Sequence, residues 1–240
     1  MNYAPEIANI SIIIPVLNEA AGLALLLERL QRIRRQGCEI IVVDGSSSDT
    51  TPKLLAKLAP QFVDQVSTSP QGRGCQMNAG ATLARADILL FLHADTELPE
   101  AAPALINGAI SQGACWGRFD VTINGAAPGL GLIARLMNWR SRLTGIATGD
   151  QAIFVTKDAF ILAAGFPDIP LMEDIVFSRR MLAISRPVCL AEKVITSGRR
   201  WEKHGVLRTI LLMWQLRLRF FFGASPHDLA REYGYVPGKN

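Results

Sequence analysis

Cysteine is scarce: Cys38, Cys75, Cys115 and Cys189 are the only four in 240 residues, and no two form a C-x-x-C pair. That scatter suggests neither a disulfide framework nor a zinc site and fits a reducing cytosol. The first ten residues carry Glu6, no Lys or Arg and no apolar core of signal-peptide length, so no secretory signal is read there. A glycine-rich phosphate loop is also missing. After the first apolar run stands Pro15-Val16-Leu17-Asn18-Glu19, which argues against a sugar-nucleotide pyrophosphorylase and, without G-x-G-x-x-G, against a dinucleotide oxidoreductase. An aspartyl phosphatase built on Asp44 would want a carboxylate at 46, where Ser46 stands. Net charge is only +4, and no nucleic-acid partner is expected. The excess is local: between Arg199 and Arg219 there are six Lys or Arg residues against one acidic residue, Glu202.

What is present is a core. With 49% hydrophobic residues the chain can bury one full domain, and a single domain over 1–240 is expected. Ile10 to Ile14 is a β-branched run stopped by Pro15, followed by an apolar-rich helical stretch from Ala20 to Gln36. The unit recurs as a strand from Glu39 to Val43 and a helix from about Thr51 to Leu58 with Pro52 near its start. A third strand, Phe62 to Val66, leads to a helix over Cys75 to Arg85, and Ile88 to Leu92 reads as a strand buried on both faces. Such alternation predicts right-handed crossovers and a parallel sheet with its strand-end loops gathered along one edge. Further on, strands are read at Ala114 to Ile123, Gln151 to Val155 and Val188 to Ile195. Helices are read at Leu130 to Arg142, after Glu173-Asp174, at Val206 to Phe222 and briefly after Ser225-Pro226, with a basic loop over Thr196 to His204.

Chemistry-capable groups stand at successive strand ends. Asn18 and Glu19 follow the first strand, Asp44 the second, Arg73 lies in a glycine-flanked loop after the third, and His93 and Asp95 close the fourth. If the extended geometry persists, His93 and Asp95 point the same way, toward the crevice where open α/β sheets bind ligands. Singly, each has an ordinary structural use: Asp44-Gly45 as a turn, Asn18 or Glu19 as a helix start, Arg73 as a solvated side chain. Together they suit a nucleotide, with Arg73 near a base or phosphate and Asp95 holding a metal against a diphosphate. Glu173 and Asp174 stand at a helix start, where carboxylates also meet the helix dipole favourably. As neighbours they are expected not to point both into one site. Asp150 is a minor acceptor-side candidate, and His204 a cap or surface residue.

In order and content, Pro15 to Glu19, Val42 to Thr50, Gly74 to Gly80 with Asn78, and His93-Ala94-Asp95 resemble family 2 glycosyltransferases of GT-A fold. More narrowly the chain is similar to a short bacterial subfamily associated with arsenosugar biosynthesis. The resemblance implies a Rossmann-like, mostly parallel sheet flanked by helices, with a nucleotide half over about 10–95, an acceptor half over 96–203 and C-terminal amphipathic helices over 204–240. It implies an inverting transferase using a nucleotide-diphosphate sugar, UDP-linked by preference, and Mn²⁺ or Mg²⁺. Pro15, Asn18, Glu19, Asp44 and Arg73 would form the nucleotide site. Asp95 would be the last aspartate of a D-x-D metal motif whose first position is His93, an imidazole that can bind Mn²⁺ but suits Mg²⁺ poorly. The Glu173-Asp174 pair would supply the base from Asp174, while Arg200-Trp201 would meet the diphosphate and the acceptor. The acceptor is a small molecule or lipid of unknown identity, and the rival reading is a catalytically inactive nucleotide-sugar or lipid-binding protein of the same fold. Three arginines inside Val206 to Phe222 argue against a membrane-spanning helix. An interfacial helix and a core or homo-oligomer contact are both open readings, so the protein is expected in the cytoplasm or peripherally on the inner face of the plasma membrane.

Overall fold

The structure, a computed structural model, describes residues 10–235; residues 1–9, where no signal was read, and 236–240 lie outside the described part. The chain begins with β1 (Ile10–Val16), α1 (Ala20–Arg34), β2 (Glu39–Asp44), α2 (Thr51–Phe62), β3 (Gln65–Thr68), α3 (Arg73–Leu83) and β4 (Ile88–Phe91). It continues through β5 (Thr96–Glu97), α4 (Ala102–Ser111), β6 (Trp116–Asn124), α5 (Leu130–Thr144), a 3-10 turn over Gly149–Gln151, β7 (Ile153–Thr156) and α6 (Lys157–Leu162). The last elements are α7 (Glu173–Leu182), β8 (Val188–Ser197), α8 (Arg199–His204), α9 (Val206–Phe221) and α10 (Pro226–Tyr233).

One sheet joins the strands in the order β3-β2-β1-β4-β7-β6-β8-β5. The first four pair in parallel, as the strand-helix alternation requires, whereas β7 runs antiparallel to both β4 and β6, and β8 is parallel to β6. Helices cover both faces. Ile10, Ile12 and Ile14 of β1 pack with Leu23, Leu27, Leu55 and Ile106 from α1, α2 and α4, while Ile13 packs on the other side with Met77, Phe160 and Phe177 from α3, α6 and α7. This alternation within one uninterrupted apolar run is how a strand buried on both faces uses period two.

Two boundaries differ from expectation. Phe62 closes α2, which carries Pro60 in its last turn, and β3 starts only at Gln65; Phe62 packs against the core from the helix. The expected loop over 196–204 is instead the end of β8 followed by the helix α8. The short elements β5, α4 and α6 carry no motif that sequence reading picked out. β5 matters because Thr96 pairs with Thr196 of β8 and Ser197 N–H donates to the Asp95 carbonyl at 3.2 Å, so the turn after β4 is stitched to the strand that leads into α8.

The C-terminal helices occupy an intermediate place. Leu216 of α9 and Leu229 of α10 pack on Met172 and Ile175 at the start of α7, yet Leu207, Leu211, Trp214, Leu218 and Phe221 of α9 face outward. α5 repeats the arrangement with Leu132, Leu136, Trp139 and Leu143 exposed. Both rows step by four and three residues, the spacing of one helix face. No helix among the described residues is long and apolar enough to cross a membrane.

Candidate active site

The ends of the parallel strands open into a cleft of about 260 Å³ whose lining includes Pro15, Glu19, Arg73, His93, Asp95 and Arg200. Beside it lies a larger, mainly apolar cavity of about 410 Å³ between α5, α7 and α9, with Glu173, Asp174, Asp150 and Trp201 in its wall. Four residues, Arg73, His93, Leu171 and Tyr233, line both. The two spaces are therefore separated by a single layer of side chains.

Arg73 reaches this layer because α3 starts there and is fixed at two points. The buried Gln76 amide donates to the carbonyls of Val16 at 2.8 Å and Val43 at 2.9 Å, tying the helix to the ends of β1 and β2. Asn78 exchanges two hydrogen bonds with the Phe166 backbone, at 2.8 and 3.0 Å. Gly74 permits the approach: a Cβ there would lie 2.4 Å from the Pro167 carbonyl oxygen.

The acidic pair opens α7. Met172, just before α7, adopts φ 72°, a left-handed conformation uncommon for a non-glycine residue. Contrary to expectation, both Glu173 and Asp174 then line the larger cavity. Asp174 is held by N–H donors, from Gly149 at 3.0 Å and Ile175 at 2.7 Å. Glu173 is only 4% exposed, and burial, with the Asp174 charge added, pushes its pKa up to about 7 against the pull of Arg73. Arg73 in turn is held charged above its ordinary value: burial opposes the charge, but Glu173, Asp150 and Asp174 outweigh it.

The extended geometry assumed for His93 and Asp95 ends at Phe91, and the chain turns, with Thr96 N–H donating to the His93 carbonyl. The two side chains consequently find different partners. His93 Nδ1 meets Asp150 Oδ1 at 3.2 Å, and its Nε2 is buried with no hydrogen-bond partner against Gly149, where a Cβ would come within 2.2 Å of it. Only glycine fits there. Burial works against ionisation of Asp150, but the His93 hydrogen bond and the positive charge of its neighbours leave its pKa below the ordinary value. Asp95 instead faces Arg199, whose Nη2 lies 3.8 Å from Asp95 and 3.4 Å from Glu19. Burial raises the Glu19 pKa, Arg199 opposes the rise and the Asp95 charge adds to it.

These oxygen donors suit a hard divalent cation, but no group of three metal-ligating side chains converges among the described residues. Asp95 could hold an ion there only with ligands from a substrate or water. Asn18 and Asp44 do not line the cleft. Asn18 Oδ1 accepts from the backbone N–H groups of Ser48 and Asp49, and the buried Asp44 accepts from the Ser47 hydroxyl at 2.5 Å, so both shape the loop after β2. Arg200 lies over the Tyr233 ring at 3.4 Å and donates to the Tyr233 carbonyl at 3.0 Å, on the cleft side. Trp201 packs with Ile123 and Leu130 and faces the apolar cavity. Gln76, Arg199 and Tyr233 are site residues that sequence reasoning missed; Arg199 alone had a signal, as the neighbour of Arg200.

A four-stranded parallel half-sheet continued by a mixed half, with a cleft at the parallel strand ends, gives the chain the GT-A fold. Over 78% of its length it superposes on S. aureus TarS solved in complex with UDP-GlcNAc, with a TM-score of 0.62, 17% identity and 58% of that chain covered. A mannosyltransferase from Pyrobaculum calidifontis, solved with GDP-Man and Mn²⁺, superposes over 78% of this chain and 56% of its own, with a TM-score of 0.58 and 18% identity. Residues 11–160 match the Glycosyl transferase family 2 model, and the chain belongs to that family. The matched segment takes in Asp95 and Asp150, while Glu173, Asp174, Arg200 and Trp201 lie beyond it. Among curated relatives, an undecaprenyl-phosphate 4-deoxy-4-formamido-L-arabinose transferase of Yersinia enterocolitica is 32% identical over 45% of this chain and 36% of its own length. A PGL/p-HBAD biosynthesis glycosyltransferase of Mycobacterium bovis is 39% identical over 38% of this chain and 37% of its own. The chain thus matches little more than a third of the length of these relatives.

The raised Glu173 pKa has a consequence for stability. Between 4.5 and about 7 the unfolded chain gives up this proton while the folded one keeps it, so the group's contribution to stability falls as pH rises through that window. Glu173→Gln removes a loss of up to about 3 kcal/mol at pH 8. Urea denaturation of wild type and variant at pH 5 and pH 8 is expected to show the variant gaining on wild type at the higher pH; parallel behaviour at both would contradict the assignment.

Proposed function

We propose that the protein is an inverting glycosyltransferase moving a sugar from a nucleoside-diphosphate sugar, UDP-linked by preference, to an acceptor hydroxyl, with Asp174 as general base. The reading is carried by the adjoining cavities: a polar cleft at the strand ends and an apolar cavity meet at Arg73, with Asp150, Glu173 and Asp174 on the far side. The cleft takes the donor, with Pro15, Glu19 and Arg73 in its wall and Asn18 and Asp44 in the adjoining loops making up the nucleotide site, and Arg200 toward the diphosphate. Asp95 is the residue that would hold Mn²⁺ or Mg²⁺, the diphosphate completing the ion's shell and the ion neutralising its charge. The narrower placement in the short subfamily linked to arsenosugar biosynthesis rests on the sequence motifs alone.

Inversion requires the acceptor hydroxyl to attack from the face opposite the leaving nucleotide while a carboxylate removes its proton. Asp174 suits this role because the backbone N–H groups of Gly149 and Ile175 fix its carboxylate in the cavity wall. One observation favours Glu173 instead: its raised pKa is nearer to working pH, where a base is most effective. Two variants separate them. Asp174→Asn is expected to lower kcat by at least about a hundredfold with UDP affinity retained, and Glu173→Gln to keep most turnover. The opposite pattern reverses the roles.

The outward rows of α5 and α9 support peripheral membrane association, since neither helix contains an acidic residue and Arg135 and Arg208 are exposed beside the apolar residues. Co-sedimentation with anionic vesicles is expected, weakening as salt rises. No binding at low salt would return these faces to a protein contact.

A further inference from the structure

The apolar cavity contains a pair of cations that no carboxylate contacts. Arg140 of α5 has its Nε and Nη2 buried without a hydrogen-bond partner, and among the described residues no carboxylate forms an ion pair with it or with Arg217 of α9. Both guanidinium groups line the cavity, whose wall also holds Asp150, Glu173 and Asp174. Burial, then the charge of Arg217, lowers the Arg140 pKa to about 10, with the Asp174 charge only partly offsetting them, and Arg217 acts in turn on Asp150. Two cations beside each other at an apolar wall, neither in contact with a carboxylate, leave a place for an anion that joins them.

The cavity is graded from outside inward. Its rim is apolar and open, with Trp139 64% and Trp214 73% exposed; Arg140 and Arg217 lie partly buried behind it; Glu173, 4% exposed, and Asp174 lie at the inner end next to the donor cleft. Resting on the transfer reading above, we propose that this space binds the acceptor as a lipid whose phosphate lies between its aliphatic tail and a hydroxylated head. The tail runs over the Trp139 and Trp214 rows, the phosphate bridges Arg140 and Arg217, and the head hydroxyl reaches Asp174. Guanidinium groups suit phosphate oxygens through paired N–H donors, and the aromatic rim suits the boundary between lipid and water.

The test is calorimetric titration with dihexanoyl phosphatidylglycerol below its micelle concentration, beside inorganic phosphate and octyl glucoside. Wild type is expected to bind the phospholipid; Arg140→Gln and Arg217→Gln should each weaken it at least tenfold, and Arg140→Lys should recover part of the loss. Trp214→Ala, at an exposed position, should also weaken it. UDP affinity should be the same in every variant, so a loss of UDP binding would indict the donor reading, and unchanged phospholipid binding in the arginine variants would overturn this one. Inorganic phosphate competing at equal concentration would make it a free-anion site, and octyl glucoside matching the phospholipid would make it a plain apolar groove; either overturns the proposal. So does a dimer in sedimentation that the phospholipid does not dissociate, since a second copy would then cover the rows.

Discussion

The two hydrogen bonds from the buried Gln76 amide set the geometry on which the rest of the site depends. By spanning the carbonyls of Val16 and Val43 they hold the start of α3 at the ends of two parallel strands, while Asn78, two residues further along, holds the same helix to the backbone at Phe166. A helix pinned on both sides presents Arg73 at a fixed place, where its charge is balanced by Glu173, Asp150 and Asp174. Asp174 is met by backbone donors and Asp150 by His93, and Glu173, the most buried of the three, is the one whose pKa rises.

A second constraint comes from the antiparallel half. Pairing of β5 with β8 brings the turn after β4 against the strand that leads into α8, which is how Arg199 comes to face Asp95 and Glu19 across more than a hundred residues of sequence. The same helix sends Arg200 toward the donor cleft and Trp201 toward the apolar cavity, so consecutive residues serve opposite sides of one wall. The C-terminal helices close that wall by packing Leu216 and Leu229 on Met172 and Ile175, and Tyr233 at the end of α10 lines both spaces.

Much of the frame was legible because it rests on local signals. The runs at Ile10, Glu39 and Ile88 are long enough and sufficiently β-branched or apolar to fix β1, β2 and β4, and the strand-helix spacing gave their parallel pairing. The Glu173-Asp174 pair announced itself as adjacent carboxylates before an apolar stretch. What could not be read are partnerships made by folding: His93 with Asp150, 57 residues apart, and Gln76 with two strand ends, for which a polar residue inside a helix gives no hint. Asp44 stands at the strand end that the sequence indicates, and folding adds a local partner there, the Ser47 hydroxyl three residues on. The expectation that neighbouring carboxylates diverge failed because the apolar cavity extends around the helix start far enough to take in both.

Under the proposed function the crevice at the strand ends is a diphosphate site organised by Asp95, and isothermal titration of UDP in Mn²⁺ tests this directly. Among the described residues Asp95 meets only long contacts, from the Thr96 hydroxyl at 3.5 Å and from the 60% exposed Arg199 at 3.8 Å, which leaves its carboxylate able to serve an ion. The predicted result is that Asp95→Ala loses at least about tenfold in affinity, and that omitting the metal weakens wild type by a similar amount. Equal affinity of wild type and Asp95→Ala in Mn²⁺ would contradict it.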